Sequence, residues 1–438
     1  MLNHIYKATT IARMFRNFAS ARAYLETFIP LPTVVHKTMQ LERIRILCKL
    51  LGDPQNKYPI IHVGGTSGKG STATFTAAIL SQLGIKTGLH LSPHLESLTE
   101  RMQINNCPIS EKTFDQVLDE VDKDINTTNI AQQFGSPTYF ELLVAMSFLY
   151  FAHEKVQAAV IEVGLGGTLD GTNIIPASGV ILTNVSLDHT AILGKTVAKI
   201  CKDKIGIIKK GAPFVVSGIT QPLLRKMLAK RCKDLKVPLL LHGQNFKVRQ
   251  ELLALPGDFQ HINFTLAVEA TTRFIHNFFP KKEKELKTAI RVAAQTAFIP
   301  GRFEIVNLHP LTILDGAHNR AKMQALVSSV KHLYSKQKFV SIVAVKGDKS
   351  VKSMLRELDQ ISDHYVFTRF TQMIDVGKNL ALDPQQLAQY TRKPTAIIAD
   401  PISAVETAKR LSFEKQLPLL VTGSLYLVGE VRKLWKAK

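Results

Sequence analysis

Residues 58–71 read Tyr58-Pro59-Ile60-Ile61-His62-Val63-Gly64-Gly65-Thr66-Ser67-Gly68-Lys69-Gly70-Ser71, an apolar run followed by glycines around one lysine. A β-strand that ends in such a loop and continues into a helix, here from Thr72 to Leu83, is typical of proteins that bind a nucleoside triphosphate. The glycines let backbone N–H groups approach phosphate oxygens, the helix N-terminus adds a favourable dipole, and the lysine supplies a positive charge. The stretch therefore predicts an ATP site, in which Ser71 offers its hydroxyl to Mg²⁺ and whose residues are Gly65, Thr66, Gly68, Lys69, Gly70 and Ser71.

The spelling of this loop departs from the usual G-x-x-x-x-G-K-[ST] pattern. Val63 occupies the position of the first glycine, and Gly70 separates the lysine from the hydroxyl residue. A glycine-rich hairpin that contains a lysine by chance is the alternative interpretation.

Short apolar runs alternate with helical stretches from residue 58 to about residue 200. Strands are predicted at 58–63, 85–91, 157–163 and 179–184, and helices near 71–83, 111–125, 138–154 and 196–209. The last two strands are almost entirely apolar, as in strands that are covered on both faces. The pattern therefore indicates an α/β fold, a parallel sheet with helices on both sides whose ligands bind at the carboxyl ends of the strands.

A second unit of the same class follows a hinge-like segment, Ile299-Pro300-Gly301-Arg302. Ahead of it, Lys281-Lys282-Glu283-Lys284-Glu285 is expected to open an exposed helix. Strand patterns restart near 311–315, 338–345, 364–368, 396–399 and 418–422. We therefore expect an N-terminal ATPase domain at 1–298 and a smaller, Rossmann-like α/β domain at 299–438.

The composition is that of an ordinary globular protein, with 45% hydrophobic and 21% charged residues. No apolar stretch approaches the roughly 20 residues that span a bilayer, so no membrane partner is expected. The four cysteines form no C-x-x-C pair, which argues against a zinc knuckle or a disulfide framework and favours a cytoplasmic setting. The N-terminal bases leave a mitochondrial presequence as an alternative to a solvated helix; they are Lys7, Arg13, Arg16 and Arg22.

Nearly half of the net charge of +21 lies in one region of the chain. Residues 195–236 hold twelve Lys and Arg against two acids, Asp203 and Asp234, and so carry +10. Nucleic-acid binding is one hypothesis. Against it, these basic residues are not interleaved with aromatic residues, and the sequence shows no motif of a known nucleic-acid-binding module. Nucleotides and a polyanionic product would also be attracted to such a field, and a basic surface without a specific partner is the simplest interpretation.

Polar residues follow two of the buried strands. Glu162 ends one strand and is followed by the turn Gly164-Leu165-Gly166-Gly167, and Leu187-Asp188-His189-Thr190 follows the next. A carboxylate beside a phosphate loop suits Mg²⁺, which prefers oxygen ligands and keeps nucleotide phosphates in its shell. A capping or salt-bridged glutamate and a structural histidine are the alternatives.

These segments occur in order with several others that together form a family pattern. The others are Ser92-Pro93-His94-Leu95, Glu100-Arg101-Met102-Gln103-Ile104-Asn105, Thr138-Tyr139-Phe140-Glu141, Asp203-Lys204-Ile205-Gly206-Ile207, Pro300-Gly301-Arg302, Asp315-Gly316-Ala317-His318-Asn319 and Thr422-Gly423-Ser424-Leu425-Tyr426. From about Ala23 to Val431 the chain resembles the folylpolyglutamate synthase/dihydrofolate synthase family, a branch of the Mur ligase superfamily.

The resemblance implies an ATP-dependent ligase that phosphorylates a substrate carboxylate and joins it to the amine of L-glutamate. Two Mg²⁺ ions and Lys69 would bring the anions together. By motif match, Ser71 and Glu162 would hold the first ion, while Ser92, Glu162 and His189 would hold the second. Histidine is an unusual ligand for Mg²⁺, so its assignment rests on the resemblance. A monovalent cation is a further candidate cofactor.

The resemblance also implies roles for residues that show no signal of their own. Lys204 would be carbamylated by CO₂, where the residues alone indicate one more cation in a basic helix. Asn263, Arg302 and Asp315 would bind the nucleotide, which would bridge the two domains. His318 and Ser424 match glutamate-site positions. Lys69, His189, Lys204 and His318 are the predicted catalytic residues.

Two segments match the pterin-binding positions of the family. They comprise Thr138, Phe140 and Glu141, and Leu169, Asp170 and Gly171. Phe140 could stack on a pterin ring and Asp170 could accept hydrogen bonds from its N–H groups. Departures from the family pattern at Thr168 and Gly171 loosen this assignment. The chain also departs from the pattern at Phe259-Gln260 ahead of Asn263 and at Arg320 after Asn319, but none of these changes removes a metal- or phosphate-binding group.

The expected substrates are dihydropteroate or a reduced folate, L-glutamate and ATP. The sequence favours addition of both the first and later glutamates by an enzyme expected to be a monomer, with a monofunctional synthase as the alternative. A peptidoglycan-precursor ligase of the same superfamily and a nucleic-acid-stimulated P-loop ATPase are the competing functions.

Overall fold

The computed structural model describes residues 17–29, 40–127, 135–347, 351–371 and 381–435 of the chain. Most of the bases that suggested a presequence, Lys7, Arg13 and Arg16, lie outside these residues. Arg22 lies in the first helix, where it pairs with Glu26 at 2.7 Å.

The first sheet has eight strands. They are β1 Ile60–Gly64, β2 Thr87–His90, β3 Met102–Ile104, β4 Cys107–Pro108, β5 Ala158–Glu162, β6 Gly179–Leu182, β7 Val215–Ser217 and β8 Leu239–Leu241, in the order β4-β3-β2-β5-β1-β6-β7-β8. The four predicted strands are confirmed as parallel neighbours. An antiparallel hairpin of β3 and β4 extends the edge and was not predicted, because two- and three-residue strands are too short to show a periodicity.

Ten helices are described in this part of the chain. They are α1 Phe18–Glu26, α2 Glu42–Leu50, α3 Lys69–Gln82, α4 Glu111–Thr127, α5 Tyr139–His153, α6 Thr190–Leu193, α7 Val197–Lys204, α8 Pro222–Leu235, α9 Asp258–Phe278 and α10 Leu286–Thr296. Helices α3, α9 and α10 pack on one face of the sheet, and α1, α2, α4 and α5 pack on the other. The sheet is therefore covered on both sides, which explains why its central strands are apolar throughout. The basic segment that was expected to open an exposed helix forms a 3₁₀ helix, Pro280–Glu285, that leads into α10.

The second sheet has six strands. They are β9 Glu304–Leu308, β10 Leu311–Leu314, β11 Phe339–Val343, β12 Ser362–Phe367, β13 Thr395–Ile397 and β14 Leu419–Thr422, in the order β13-β12-β11-β14-β10-β9. The flanking helices are α11 Arg320–Leu333, α12 Val351–Leu358, α13 Pro384–Ala388, α14 Pro401–Lys415 and α15 Leu425–Arg432. The sheet is parallel except for β9, an antiparallel edge strand most of whose residues are partly or fully exposed. The sequence pattern did not predict this strand. A second α/β unit is thus confirmed, while the boundary at 298/299 stays a prediction.

The two sheets meet at a loop that follows β2. Leu95 packs among Leu314 and Val428 of the second core, and its carbonyl oxygen lies against Gly429, where a side-chain Cβ would come within 2.0 Å of it. The Arg432 guanidinium beside them pairs with Glu96 at 2.9 Å. This contact holds the carboxyl ends of the N-terminal strands opposite those of the second sheet. In the described parts of the chain no helix is long and apolar enough to cross a bilayer.

Candidate active site

The phosphate loop connects β1 to α3 in a conformation that requires its glycines. Gly65 and Gly68 have φ angles of 138° and 80°, which side-chain-bearing residues rarely adopt. A Cβ on Gly65 would lie 1.9 Å from the Thr183 hydroxyl oxygen, and one on Gly68 would lie 2.2 Å from Asn263 Oδ1. Lys69 follows as the first residue of α3. The structure therefore brings Asn263, a predicted nucleotide residue, against the loop.

Asn184 fixes the other side of this loop and was given no role in the sequence analysis. Its Oδ1 accepts from the Ser67 N–H at 3.0 Å, its Nδ2 donates to the Ser67 carbonyl at 3.0 Å, and its own carbonyl accepts from Thr66 N–H at 2.9 Å. These contacts span more than 110 residues, so no local pattern reports them. Asn184 thus provides hydrogen-bond partners for backbone groups of Thr66 and Ser67 and fixes the conformation of the loop that would bind phosphate.

Replacing Asn184 with alanine is expected to raise the KM for ATP about tenfold, because two hydrogen bonds that shape the loop are lost. Initial rates at varied ATP would measure it. The matched control is Asn245→Ala, since Asn245 also accepts a backbone N–H, that of Leu241 at 2.8 Å, but away from the loop. An equal rise in both variants would contradict a specific role for Asn184.

Glu162 lies where predicted, at the carboxyl end of β5 beside the phosphate loop. Its carboxylate accepts from the Ser92 N–H at 2.9 Å, and a Cβ on Gly70 would lie 3.4 Å from Oε2. The side chain is 3% exposed. Burial raises the pKa of this carboxyl, while Lys69 oppositely favours its ionised form, as do Arg302 and Lys322 from the second unit.

This geometry fits a Mg²⁺ ion at one position. Glu162 supplies a buried carboxylate, Ser71 a hydroxyl in the first turn of α3, and the phosphate loop faces both. Hard oxygen donors of this kind, completed by nucleotide phosphates, are what Mg²⁺ prefers.

His189 lies in the loop that follows β6. It is the left-handed N-cap of α6 with φ 47°, is 38% exposed, and has Nε2 3.9 Å from Asp188 Oδ1. Within the described ranges, no three His, Cys, Asp or Glu side chains form a cluster that could hold a metal ion. The second metal site therefore stays a prediction.

Lys204 is buried at the end of α7, beneath the phosphate loop and the glycine turn that follows β5. Its Nζ donates to the Gly65 carbonyl at 2.8 Å and is 3.5 Å from the Gly166 carbonyl. Burial and, after it, the neighbouring Lys69 charge lower its pKa to about 7, against the opposite effect of nearby aspartates. The amine is therefore partly neutral near neutral pH.

The second unit contributes a cluster at the ends of β10 and β14. Both oxygens of Asp315 accept backbone N–H groups, those of Phe303 and Ala317, each at 2.8 Å. Burial raises the pKa of this carboxyl, while nearby Arg302 favours its charged form. Ser424 is the N-cap of α15 and accepts from the Tyr426 N–H at 3.1 Å.

His318 is held in one tautomer by two contacts. Lys322 Nζ lies 2.9 Å from its Nε2, and an ammonium can only donate. Nε2 is therefore the acceptor, and Nδ1 carries the proton that is donated to the Gly316 carbonyl at 2.8 Å. One residue along, Asn319 Nδ2 donates to Asp188 Oδ2 at 3.1 Å, which ties this cluster to the loop that carries His189.

The predicted pterin segments lie around the glycine turn after β5. The Phe140 ring packs on Gly164, where a Cβ would be 2.5 Å from it, and Leu169 is 45% exposed. Asp170 is buried and accepts from the Leu165 N–H at 2.8 Å and from Thr172. Both oxygens are thus engaged by the chain itself.

Glu141 is engaged as well. It completes a capping box with Thr138 and forms a buried two-point ion pair with Arg43, both N···O distances being 3.0 Å. The capping role was readable from the Thr-x-x-Glu spacing, but Arg43 had no sequence signal. Direct pterin contacts by Asp170 and Glu141 stay predictions.

Known proteins resemble this chain along nearly its whole length. The model of the family "Dihydrofolate synthetase, C-terminal domain" matches residues 303–434. The chain is 30% identical to the dihydrofolate synthase/folylpolyglutamate synthase of Bacillus subtilis, over 90% of this chain and 95% of that protein. It is 32% identical to the dihydrofolate synthetase of Saccharomyces cerevisiae, over 90% and 97%.

A solved structure shows the same architecture. The Mycobacterium tuberculosis folylpolyglutamate synthase complexed with ADP matches with a TM-score of 0.84 and 28% identity, over 96% of this chain and 98% of that one. Sequence and fold agree over both α/β units. The chain therefore belongs to the dihydrofolate synthase/folylpolyglutamate synthase family and is an ATP-dependent ligase.

Proposed function

We propose that the enzyme joins L-glutamate both to dihydropteroate and to reduced folates. The observation that carries this is the buried Glu162 carboxylate between the phosphate loop and the cations of the second unit, Arg302 and Lys322. Such a cleft can hold a triphosphate against a second anion. The test is steady-state ligation with dihydropteroate and with tetrahydrofolate, each with ATP and L-glutamate.

The proposed reaction has two steps. A carboxylate oxygen of the pteridine acid attacks the γ-phosphorus of ATP, ADP leaves, and an acyl phosphate forms. The glutamate amine then attacks the acyl carbon, its proton is lost, and inorganic phosphate leaves as the amide bond forms. Phosphorylation is needed because a carboxylate is a poor electrophile.

The chain's residues divide these tasks between the two sheets. Lys69 and the glycines of the loop would bind the phosphates, with Asn263, Arg302 and Asp315 forming the rest of the nucleotide site. His318 and Ser424 would receive glutamate, and Phe140 and Leu169 would contact the pterin. Residues 1–298 and 299–438 are the proposed domains.

Mg²⁺ would be held by Ser71 and Glu162 and would neutralise charge between the two anions. A second ion at Ser92, Glu162 and His189 is part of the proposal. A monovalent cation is kept as a further candidate cofactor.

Retention of both activities is supported by the Bacillus subtilis relative, whose name carries both functions. If only one acid is used, the enzyme is a monofunctional synthase. We also propose that the enzyme is a monomer and that it acts in the cytoplasm. The four free thiols favour a reducing compartment of this kind.

Lys204 is proposed to react with CO₂. The neutral amine attacks CO₂ and releases one proton, giving a carbamate, and the lowered pKa of about 7 keeps part of the amine neutral near neutral pH. We expect activity lost on removing CO₂ to return with bicarbonate, more completely as the pH rises through about 7. The companion measurement is the carbamate signal of ¹³CO₂-treated enzyme by NMR, and its absence in active enzyme would contradict the proposal.

A further inference from the structure

Lys322 lies in the first turn of α11, four residues after His318, and the family pattern assigned it no role. A cation at the N-terminus of a helix faces the positive end of the helix dipole, which is unfavourable. The same turn contains no acid. Its other base, Arg320, points away and pairs with Glu357 at 3.3 Å. Helix stability therefore does not explain why Lys322 is a lysine.

The charge of Lys322 reaches into the cleft from the second unit. It contacts His318 Nε2 at 2.9 Å and is half-buried. At the N-cap of the same helix, Asn319 Nδ2 donates to Asp188 Oδ2 of the first unit at 3.1 Å. Lys322 thus lies where the two sheets face each other.

The charge of the amino-acid substrate calls for such a group. L-Glutamate carries two carboxylates and one ammonium, so it enters the cleft as a net anion. The two residues predicted to receive it, His318 and Ser424, are neutral in the contacts described above. Removing an anion from water without a cation is costly.

We propose that Lys322 binds one of the two carboxylates of the incoming L-glutamate, with His318 holding the ammonium in position until the substrate arrives. This inference rests on the proposed function. It adds to the site a residue that determines the choice of a dicarboxylic amino acid as the acceptor.

The test is the substitution Lys322→Met, with initial rates at varied L-glutamate. The KM for glutamate is expected to rise about 10- to 100-fold, the effect of losing a charge-assisted hydrogen bond. The KM for ATP should stay within about twofold, and Lys322→Arg should keep most of the affinity. Lys331→Met is the matched control, because Lys331 is an exposed lysine of the same helix whose Nζ donates to Gln360 Oε1 at 2.6 Å. All its constants should stay as in the parent enzyme.

A readout of contact uses two substrate analogues, glutamine and the α-amide of glutamate, each lacking one carboxylate. The parent enzyme should bind one analogue more weakly than L-glutamate, the analogue that lacks the carboxylate bound by Lys322. The variant Lys322→Met should bind that analogue and L-glutamate about equally, because it no longer makes the contact. A purely structural lysine would leave the discrimination intact. The thermal unfolding midpoint of the variant should not fall, because an unfavourable helix-end charge is removed.

Two results would overturn the inference. One is an unchanged glutamate KM in Lys322→Met, and the other is full discrimination against both analogues in that variant. If the parent enzyme itself makes no ADP with glutamate and any pteridine acid, the proposed function fails and this inference fails with it. If the parent ligates normally, only the role of Lys322 is at stake.

Discussion

Replacing Lys69 with methionine is expected to lower kcat/KM for ATP about a thousandfold. The ammonium at the start of α3 belongs to the residue that directly follows the glycines of the phosphate loop. Losing one preorganised electrostatic contact to a transferring group has an effect of this size. The methionine keeps the length of the side chain, so the fold should be retained. Initial rates of ADP formation and the thermal shift with ADP would measure both effects.

The control for this variant is Lys86→Met. Lys86 is a half-exposed lysine of the same unit that pairs with Glu154 at 2.8 Å, away from the loop. Its loss should leave ADP formation unchanged, since exposed ion pairs contribute little. If Lys69→Met kept activity within about tenfold of the parent, the phosphate-binding role of the loop would be wrong.

Replacing Glu162 with glutamine is expected to lower ligation by about a thousandfold, because the carboxylate that would hold the metal ion is removed. The amide oxygen can still accept from the Ser92 N–H, and a buried charge is removed, so thermal stability should not fall. Mn²⁺ titration followed by electron paramagnetic resonance, with and without ADP, would show the loss of metal affinity directly.

The matched control is Glu154→Gln, which removes a half-exposed carboxylate of the same unit. It should bind metal and turn over like the parent. Unaltered Mn²⁺ affinity in Glu162→Gln would remove Glu162 from the metal site, whatever happened to the activity.

The central part of the fold and site was predictable because its signals are local. The glycines of the phosphate loop, the lysine after them and the apolar strands on either side lie within one short stretch, and the structure places them as expected. The position of Glu162 followed from a rule about parallel sheets, that neighbouring strands end at one edge. β5 and β1 are neighbours, so the carboxylate reaches the loop.

The rest depends on contacts between distant parts of the chain. Asn184 meets Ser67 across 117 positions and Arg43 meets Glu141 across 98, and neither residue type signals such a partner. The role proposed for Lys322 depends on the second sheet facing the first, and no local sequence pattern predicts that arrangement. For Asp170 the motif gave a ligand role, while the structure shows that capping already uses the carboxylate, so a motif match alone does not tell a contact residue from one that shapes the turn.

The transfer of oxygen from the pteridine acid to phosphate tests the central claim most directly. Dihydropteroate labelled with ¹⁸O in its carboxylate would be incubated with enzyme, ATP and L-glutamate, and the released phosphate analysed by mass spectrometry. An acyl phosphate predicts that each phosphate released carries an oxygen from the substrate carboxylate. Unlabelled phosphate accompanying product formation, or ADP formed equally well without glutamate and pteridine acid, would contradict the account.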